Sequence, residues 1–207
     1  MRIFLMLLLS AWSLTLQAHP HSWIEQQTTL IGDEQHITQL KMRWSFDKIT
    51  TAYTLEGEDL KGAQRAKTLK KVADQIAAHM MPDHYFTYFY QDQTPLRYHV
   101  VRHADAELID HKLILEFTIT LSKPQPYTQH PLKLMIFDPS YYVDMYWNNA
   151  ADIKLTAPVA KHCQSQLLEP HPSQKDINYA MSIPADADPD YPLGQLFTQK
   201  LILRCHP

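Results

Sequence analysis

The strongest constraint on the fold lies between Leu40 and Phe46. Leu40, Met42, Trp44 and Phe46 alternate without exception with Lys41, Arg43 and Ser45. A period of two is the mark of a β-strand with one face on a core and the other wet or covered by a helix. The chain from His21 to Asp47 reads as a hairpin around this strand. Trp23, Glu25 and Gln27 share one face of the first arm, and Ile31-Gly32-Asp33-Glu34 supplies the turn.

The period then changes. Leu60, Ala63, Leu69, Val72, Ala73, Ile76, Ala77 and Met80 form one stripe at helical spacing, which predicts an amphipathic helix over about Glu58–Met80. Acids at Glu56, Glu58 and Asp59 precede lysines at 67, 70 and 71, an order that suits the helix dipole. Met81-Pro82 ends it. Strand signals return at Tyr85–Tyr90, Arg97–Arg102 and Leu113–Leu121, after which Pro124-Gln125-Pro126 is expected to break the chain. Leu132–Phe137 and Tyr141–Trp147 follow, joined by a turn at Asp138-Pro139-Ser140. A last unit runs through Asp152–Thr156, Cys163–Leu168 and Gln199–Cys205, with an acidic, proline-punctuated loop at 184–192. The expected class is α+β: mostly antiparallel strands as a sheet or sandwich, with one main helix.

The first 18 residues stand outside this scheme. Met1-Arg2, an apolar run from Ile3 to Leu16, and Ala18 give the charged, apolar and small-residue parts of a secretory signal. The run is short of the ~20 residues a spanning helix needs. The expectation is cleavage after Ala18 and a periplasmic protein that does not span the membrane. Taking 18 residues from 207 leaves 189, and losing Arg2 moves the net charge from −3 to −4. That length suits a single domain over 19–207, with a subdivision near 148–152 as the alternative. The acidic balance argues against a nucleic-acid partner.

Export also colours the two cysteines. Cys163 and Cys205 are an even, isolated pair, which in an oxidising compartment reads as a disulfide. Thiolate metal ligation is the other reading, but there is no CxxC.

Histidine is abundant, with 12 in the chain. After cleavage the protein would begin His19-Pro20-His21. The α-amine and ring Nδ1 of His19 form a chelating pair, and His21 adds a second imidazole, a donor set suited to Zn²⁺, Ni²⁺, Co²⁺ or Cu²⁺. Pro20 lacks an N–H, so the square-planar site that uses deprotonated backbone amides cannot form. Oxygen ligands would come from Asp47, Asp138 or Asp144. Asp47 has a second role open to it, as cap of the following helical segment, and Asp138 as the closer of its own turn. His79 with His84, and His99 with His103, are candidates for a second site. No nucleophile elbow, zinc-protease helix, P-loop or dinucleotide fingerprint is present, so a binding protein is expected rather than an enzyme, with no organic cofactor.

Three stretches carry a resemblance: His19-Pro20-His21-Ser22-Trp23-Ile24-Glu25, Trp44-Ser45-Phe46-Asp47, and Phe137-Asp138-Pro139-Ser140-Tyr141-Tyr142-Val143-Asp144. Their order resembles the family known as domain of unknown function 1007. The resemblance implies an exported protein of the kind labelled as the periplasmic component of an ABC-type transport system, beside zinc or nickel/cobalt transport, with a membrane metal transporter as partner. Many relatives carry a calcium-loop-like stretch after the Phe-Asp motif. Here Leu55-Glu56-Gly57-Glu58-Asp59-Leu60 lacks the EF-hand pattern. Two alternatives remain beside metal handling. One is a copper enzyme that uses the N-terminal histidine as a brace, and the other is a metal-free, β-rich interaction domain.

Overall fold

The computed structural model describes residues 20–184 and 187–206. The predicted signal segment and His19 lie outside the described residues. The hairpin forms as the alternation requires. Strand β1 (Ser22–Gly32) pairs antiparallel with β2 (His36–Phe46), Ile24 opposite Phe46 and Leu30 opposite Leu40. Ile24, Gln26, Thr28 and Leu30 point inward with Leu40, Met42, Trp44 and Phe46, while Trp23, Glu25 and Gln27 lie on the other face. Ile37 is also buried although its parity is opposite to Leu40. Register shifts beside Ile37 and beside Gly32 insert the extra residue that flips the side chains.

Helix α1 (Lys48–Thr54) follows at once, and helix α2 runs Gln64–Met80. The expected single helix from Glu58 is therefore shorter. Gly57 and Gly62 have φ of +76° and +49°, and their turns set Leu60 and Ala63 outside it. Leu69, Val72, Ala73, Ala77 and Met80 are buried, whereas Ile76 is only partly so.

Strand β3 (Thr87–Gln91) and the two-residue β4 (Thr94–Pro95) come next. The predicted strand at Arg97–Arg102 is absent; that segment makes one bridge, Tyr98 to Leu121. The strand lies further on, as β5 (Ala104–Ile109), whose Asp105 and Glu107 dilute its apolar signal. It pairs with β6 (Lys112–Pro126), which buries Leu113, Leu115, Phe117, Ile119 and Leu121. The Pro124-Gln125-Pro126 segment does not break this strand. Beyond Phe117, which faces Ala104 at the start of β5, the outer side of β6 carries no continuous ladder, so a missing N–H costs little there.

Strands β7 (Leu132–Ile136), β8 (Val143–Tyr146) and β9 (Ile153–Leu155) lead to helix α3 (Ala157–His162) and strand β10 (Cys163–Leu168). Helix α4 (Gln174–Ser182), which the hydropathy pattern did not show, starts on a capping box of Ser173 and Asp176. A short helix α5 (Gly194–Phe197) and strand β11 (Lys200–Cys205) complete the chain.

One sheet has the order β5-β6-β2-β1-β8, with β9 also on β1; the other is β10-β11-β7-β3-β4. The fold is α+β, with both sheets rich in antiparallel pairs. β8 and β9 pair in parallel with successive parts of β1, so 148–152 is a loop between two strands on the same edge. One apolar cluster joins Leu40, Trp44 and Leu115 of the first sheet, Val72 of α2, and Phe89, Leu134 and Leu201 of the second. A smaller cluster, Ala180, Ile183 and Leu193 with Tyr141 and Phe197, packs beneath the turn after β7. Cys163 and Cys205 are register partners and are bonded, S–S 2.03 Å, which joins β10 to β11 and removes both sulfurs from metal ligation.

Candidate functional site

The three sequence motifs, far apart in the chain, meet at the start of β1. Parallel pairing sets Ser22 beside Val143, Trp23 beside Asp144, Ile24 beside Met145 and Glu25 beside Tyr146. Just ahead of the strand, His21 N donates to Tyr142 O (2.9 Å), and the two rings lie 4.8 Å apart. On the other side, Asp47 N donates to Trp23 O (3.0 Å) and Trp23 N donates to Asp47 Oδ2 (3.0 Å). The strand period then places Trp23, Glu25, Asp144 and Tyr146 on the outer face, opposite the buried Ile24 and Met145.

Two of the three candidate aspartates are occupied by the backbone. Asp47 is the N-cap of α1: its Oδ1 accepts from Ile49 N (2.8 Å) and Thr50 N (2.9 Å), and its Oδ2 also accepts from the Thr50 hydroxyl. Burial alone would push its pKa up, but the hydrogen bonds from Thr50, Trp23 and Ile49 outweigh that and hold it below the usual carboxylate range. Of the two roles open to it in sequence, capping is the one it takes. Asp138 is 7% exposed and closes its own turn. It accepts from Ser140 N (2.9 Å), Ser140 Oγ (2.7 Å) and Val143 N (3.0 Å). The turn sits on Gly194, where an added Cβ would lie 1.9 Å from the Asp138 carbonyl oxygen. Neither carboxylate has the freedom expected of a metal ligand.

Asp144 differs from both. Burial raises its pKa, opposed only by a backbone hydrogen bond from Met145. Among the described residues it forms no ion pair, in contrast with Glu25 nearby, which holds Lys112 at 2.8 Å and accepts from Asn148 Nδ2 at 3.4 Å. Its charge adds to burial in raising the Tyr141 hydroxyl. Asp144 opens on a cavity of about 490 Å³ with Tyr146, Asn148, Glu169, Phe197 and Gln199 in its walls. Nothing in the sequence pointed to Glu169 or Gln199, which reach this place because Gln199, just before β11, bonds the backbone of Trp147 after β8 and also holds Glu169, just after β10. Gln199 fixes the strand end, accepting from Trp147 N (2.8 Å) and donating to Trp147 O (3.1 Å).

The structure thus brings His21 and Asp144 to one strand face and commits Asp47 and Asp138 elsewhere. Among the described residues no group of three or more His, Cys, Asp and Glu side chains stands ready to hold a metal. His19, the third member of the expected set, lies outside the described residues. Among the described residues the other histidines do not make a second group. His79 ends α2, and His84 opens a left-handed turn in which His84, Tyr85 and Phe86 all have positive φ. His99 and His103, expected on a strand, lie on the irregular segment before β5 and line a concavity of mixed polarity with Lys41, Arg102, Asp105, Glu116 and Phe117.

Residues 4–205 match the family described as "Protein of unknown function (DUF1007)". The chain belongs to the DUF1007 family. It is also similar to an uncharacterised protein of Haemophilus influenzae (strain ATCC 51907 / DSM 11121 / KW20 / Rd), 30% identical over 191 residues, which cover 91% of each chain. The match takes in all three motifs and both cysteines, so the face at the start of β1 and the β10–β11 disulfide both fall within the DUF1007 region. Among the described residues of this DUF1007 protein, no helix is long and apolar enough to cross a membrane.

Proposed function

We propose that this DUF1007 protein is an exported accessory that binds a divalent transition metal (zinc, nickel, cobalt or copper) and serves a membrane metal transporter. The observation that supports the reading most is the position of Asp144, a desolvated carboxylate with no ion pair among the described residues, on the strand beside β1, which carries Trp23 and has His21 just ahead of it. A carboxylate so placed stabilises a cation brought to it. His21 supplies a nitrogen donor. In a chain that begins at His19, the amine and ring of that residue complete a set of nitrogen and oxygen ligands. Asp144 replaces Asp47 and Asp138 as the oxygen ligand, because those two hold backbone N–H groups. The role is binding and not catalysis.

Calorimetric titration of protein starting at His19 with Zn²⁺, Ni²⁺, Co²⁺ and Cu²⁺ tests this. Asp144→Asn and His21→Ala should each weaken the tightest metal by about tenfold or more, whereas His171→Ala, in a proline-flanked loop, should not. One extra residue ahead of His19 should also weaken it, because it moves the amine off the chelate. Equal affinity in the parent, Asp144→Asn and extended proteins would end the proposal.

A further inference from the structure

The segment between β4 and β5 is basic and irregular, yet firmly held. From Arg97 to His103 it carries two arginines, two histidines and no acid. Ser122 N donates to Arg97 O (2.8 Å) and His99 N donates to Thr120 O (2.9 Å), which ties the backbone to β6. Val101 N donates to the Tyr85 hydroxyl (3.0 Å). The Tyr98 hydroxyl accepts from Phe89 N (3.0 Å) and donates to Thr87 O (3.0 Å), closing the part of the β3 edge that β4 does not reach. Tyr85 is brought to this contact by an unusual turn, in which His84, Tyr85 and Phe86 have φ of +54°, +56° and +52°. Successive side-chain-bearing residues in that region persist only where the surroundings hold them. Here Tyr85 is buried and its hydroxyl is bonded.

Between this segment and β3 lies a cleft of about 410 Å³, within the size range of small-molecule sites. Tyr88, Tyr90 and Tyr98 give it aromatic walls, and Arg97, His84 and His99 supply its polar groups. Among the described residues no Asp or Glu lines it. Lys133 stands 5.3 Å from the centre of the Tyr90 ring and adds a second positive charge beside the wall. Asp83 and Asp138 are felt at the Tyr88 hydroxyl, but Asp138 is spent on its own turn and neither lines the cleft.

Arg97 gives the cleft its chemical preference. Of the other arginines in the described residues, Arg43 pairs with Glu107 and Glu116, Arg65 bonds Leu108 O and Arg204 bonds Gln166. The Arg97 guanidinium forms no hydrogen bond or ion pair among the described residues. A planar fork of donors on a pinned backbone suits an oxyanion, and aromatic walls suit a ring. We propose that the cleft between β3 and the Arg97–His103 segment binds a small aromatic anion, with its carboxylate or phosphate on Arg97 and its ring against the tyrosines. The cleft shares no residue with His19, His21 and Asp144, so this proposal and the metal reading can fail separately.

Isothermal titration calorimetry of protein starting at His19 tests it, with naphthalene-2-carboxylate, 2-naphthyl phosphate and the neutral naphthalene-2-methanol as probes. At least one anion should bind, and the alcohol should bind about tenfold more weakly or worse. The preferred anion tells a carboxylate site from a phosphate site. Arg97→Gln should weaken the better anion about tenfold or more. Its thermal melt should match the parent, because the Arg97 side chain is exposed. Arg102→Gln, on the same segment but outside this cleft, should bind like the parent. Three results would overturn the proposal: neither anion binds, the alcohol binds as tightly as the anions, or Arg97→Gln weakens the anion no more than Arg102→Gln does.

Discussion

Replacing Asp138 by alanine should cost the fold far more than replacing Asp144, although both belong to one sequence motif. The Asp138 carboxylate accepts two backbone N–H bonds, from Ser140 and Val143, and one hydroxyl bond, from Ser140. A hydrogen bond to a charged acceptor contributes about 1.5–3 kcal/mol. The hydroxyl can turn to water, but the two N–H groups lose their partner where little water reaches, so the expected loss is about 3–6 kcal/mol. Asp138→Asn keeps one acceptor oxygen and should lose about half of that. Asp144 has the opposite sign. Burial raises its folded-state pKa, so ionisation at neutral pH works against folding. That cost is present above the folded pKa and is relieved as pH falls through it toward the unfolded value near ~3.9. Asp144→Asn should therefore be as stable as the parent or more so at pH 7, with the difference closing in acid. Urea unfolding followed by circular dichroism at several pH values measures both, provided the slope m is unchanged. If Asp138→Ala unfolds at the parent's midpoint, or Asp144→Asn is clearly destabilised at pH 7, the division of this motif into a structural and a functional carboxylate is wrong.

Asp47→Ala removes an N-cap and should cost about 1–2 kcal/mol. Since the folded pKa of Asp47 is lowered, that contribution is complete above the unfolded value near ~3.9 and disappears as pH falls through the folded one, so parent and variant should converge in acid. Reducing the Cys163–Cys205 bridge, which closes a separation of 42 residues, should lower unfolding free energy by about 4 kcal/mol in the chain-entropy account. Urea curves with and without reductant read this directly, and coincident curves would refute it. Val72→Asp places an unpaired charge in the middle of the buried stripe of α2 and should cost about 3–5 kcal/mol. Thermal melts of that variant and of the half-buried Ile76→Asp should differ, the Val72 variant melting lower.

What could be read from the sequence was what neighbours in the chain decide. The alternation of Leu40 to Phe46 against Lys41 to Ser45 set a strand and its inner face, because a pleated backbone sends successive side chains to opposite sides. The stripe from Leu69 to Met80 set a helix for the same kind of local reason, and Asp47 could be seen as a cap because capping spans only three residues. Distance in the chain hid the rest. The edge strand Ala104–Ile109 owes its place to pairing with β6, and its mixed polarity left no period to find. Helix α4 buries little and starts on a capping box instead of an apolar stripe. The face at the start of β1 was divided among three motifs whose order the sequence showed but whose contact it could not. Parallel pairing with β8 brings Asp144 to Trp23 across 121 positions, and the same pairing leaves Asp138 buried under its own turn. Both residues are aspartates in one short motif. Which of them is spent on backbone N–H groups, and which forms no ion pair among the described residues, follows from where the solvent ends and the donors stand, and those are properties of the assembled sheets.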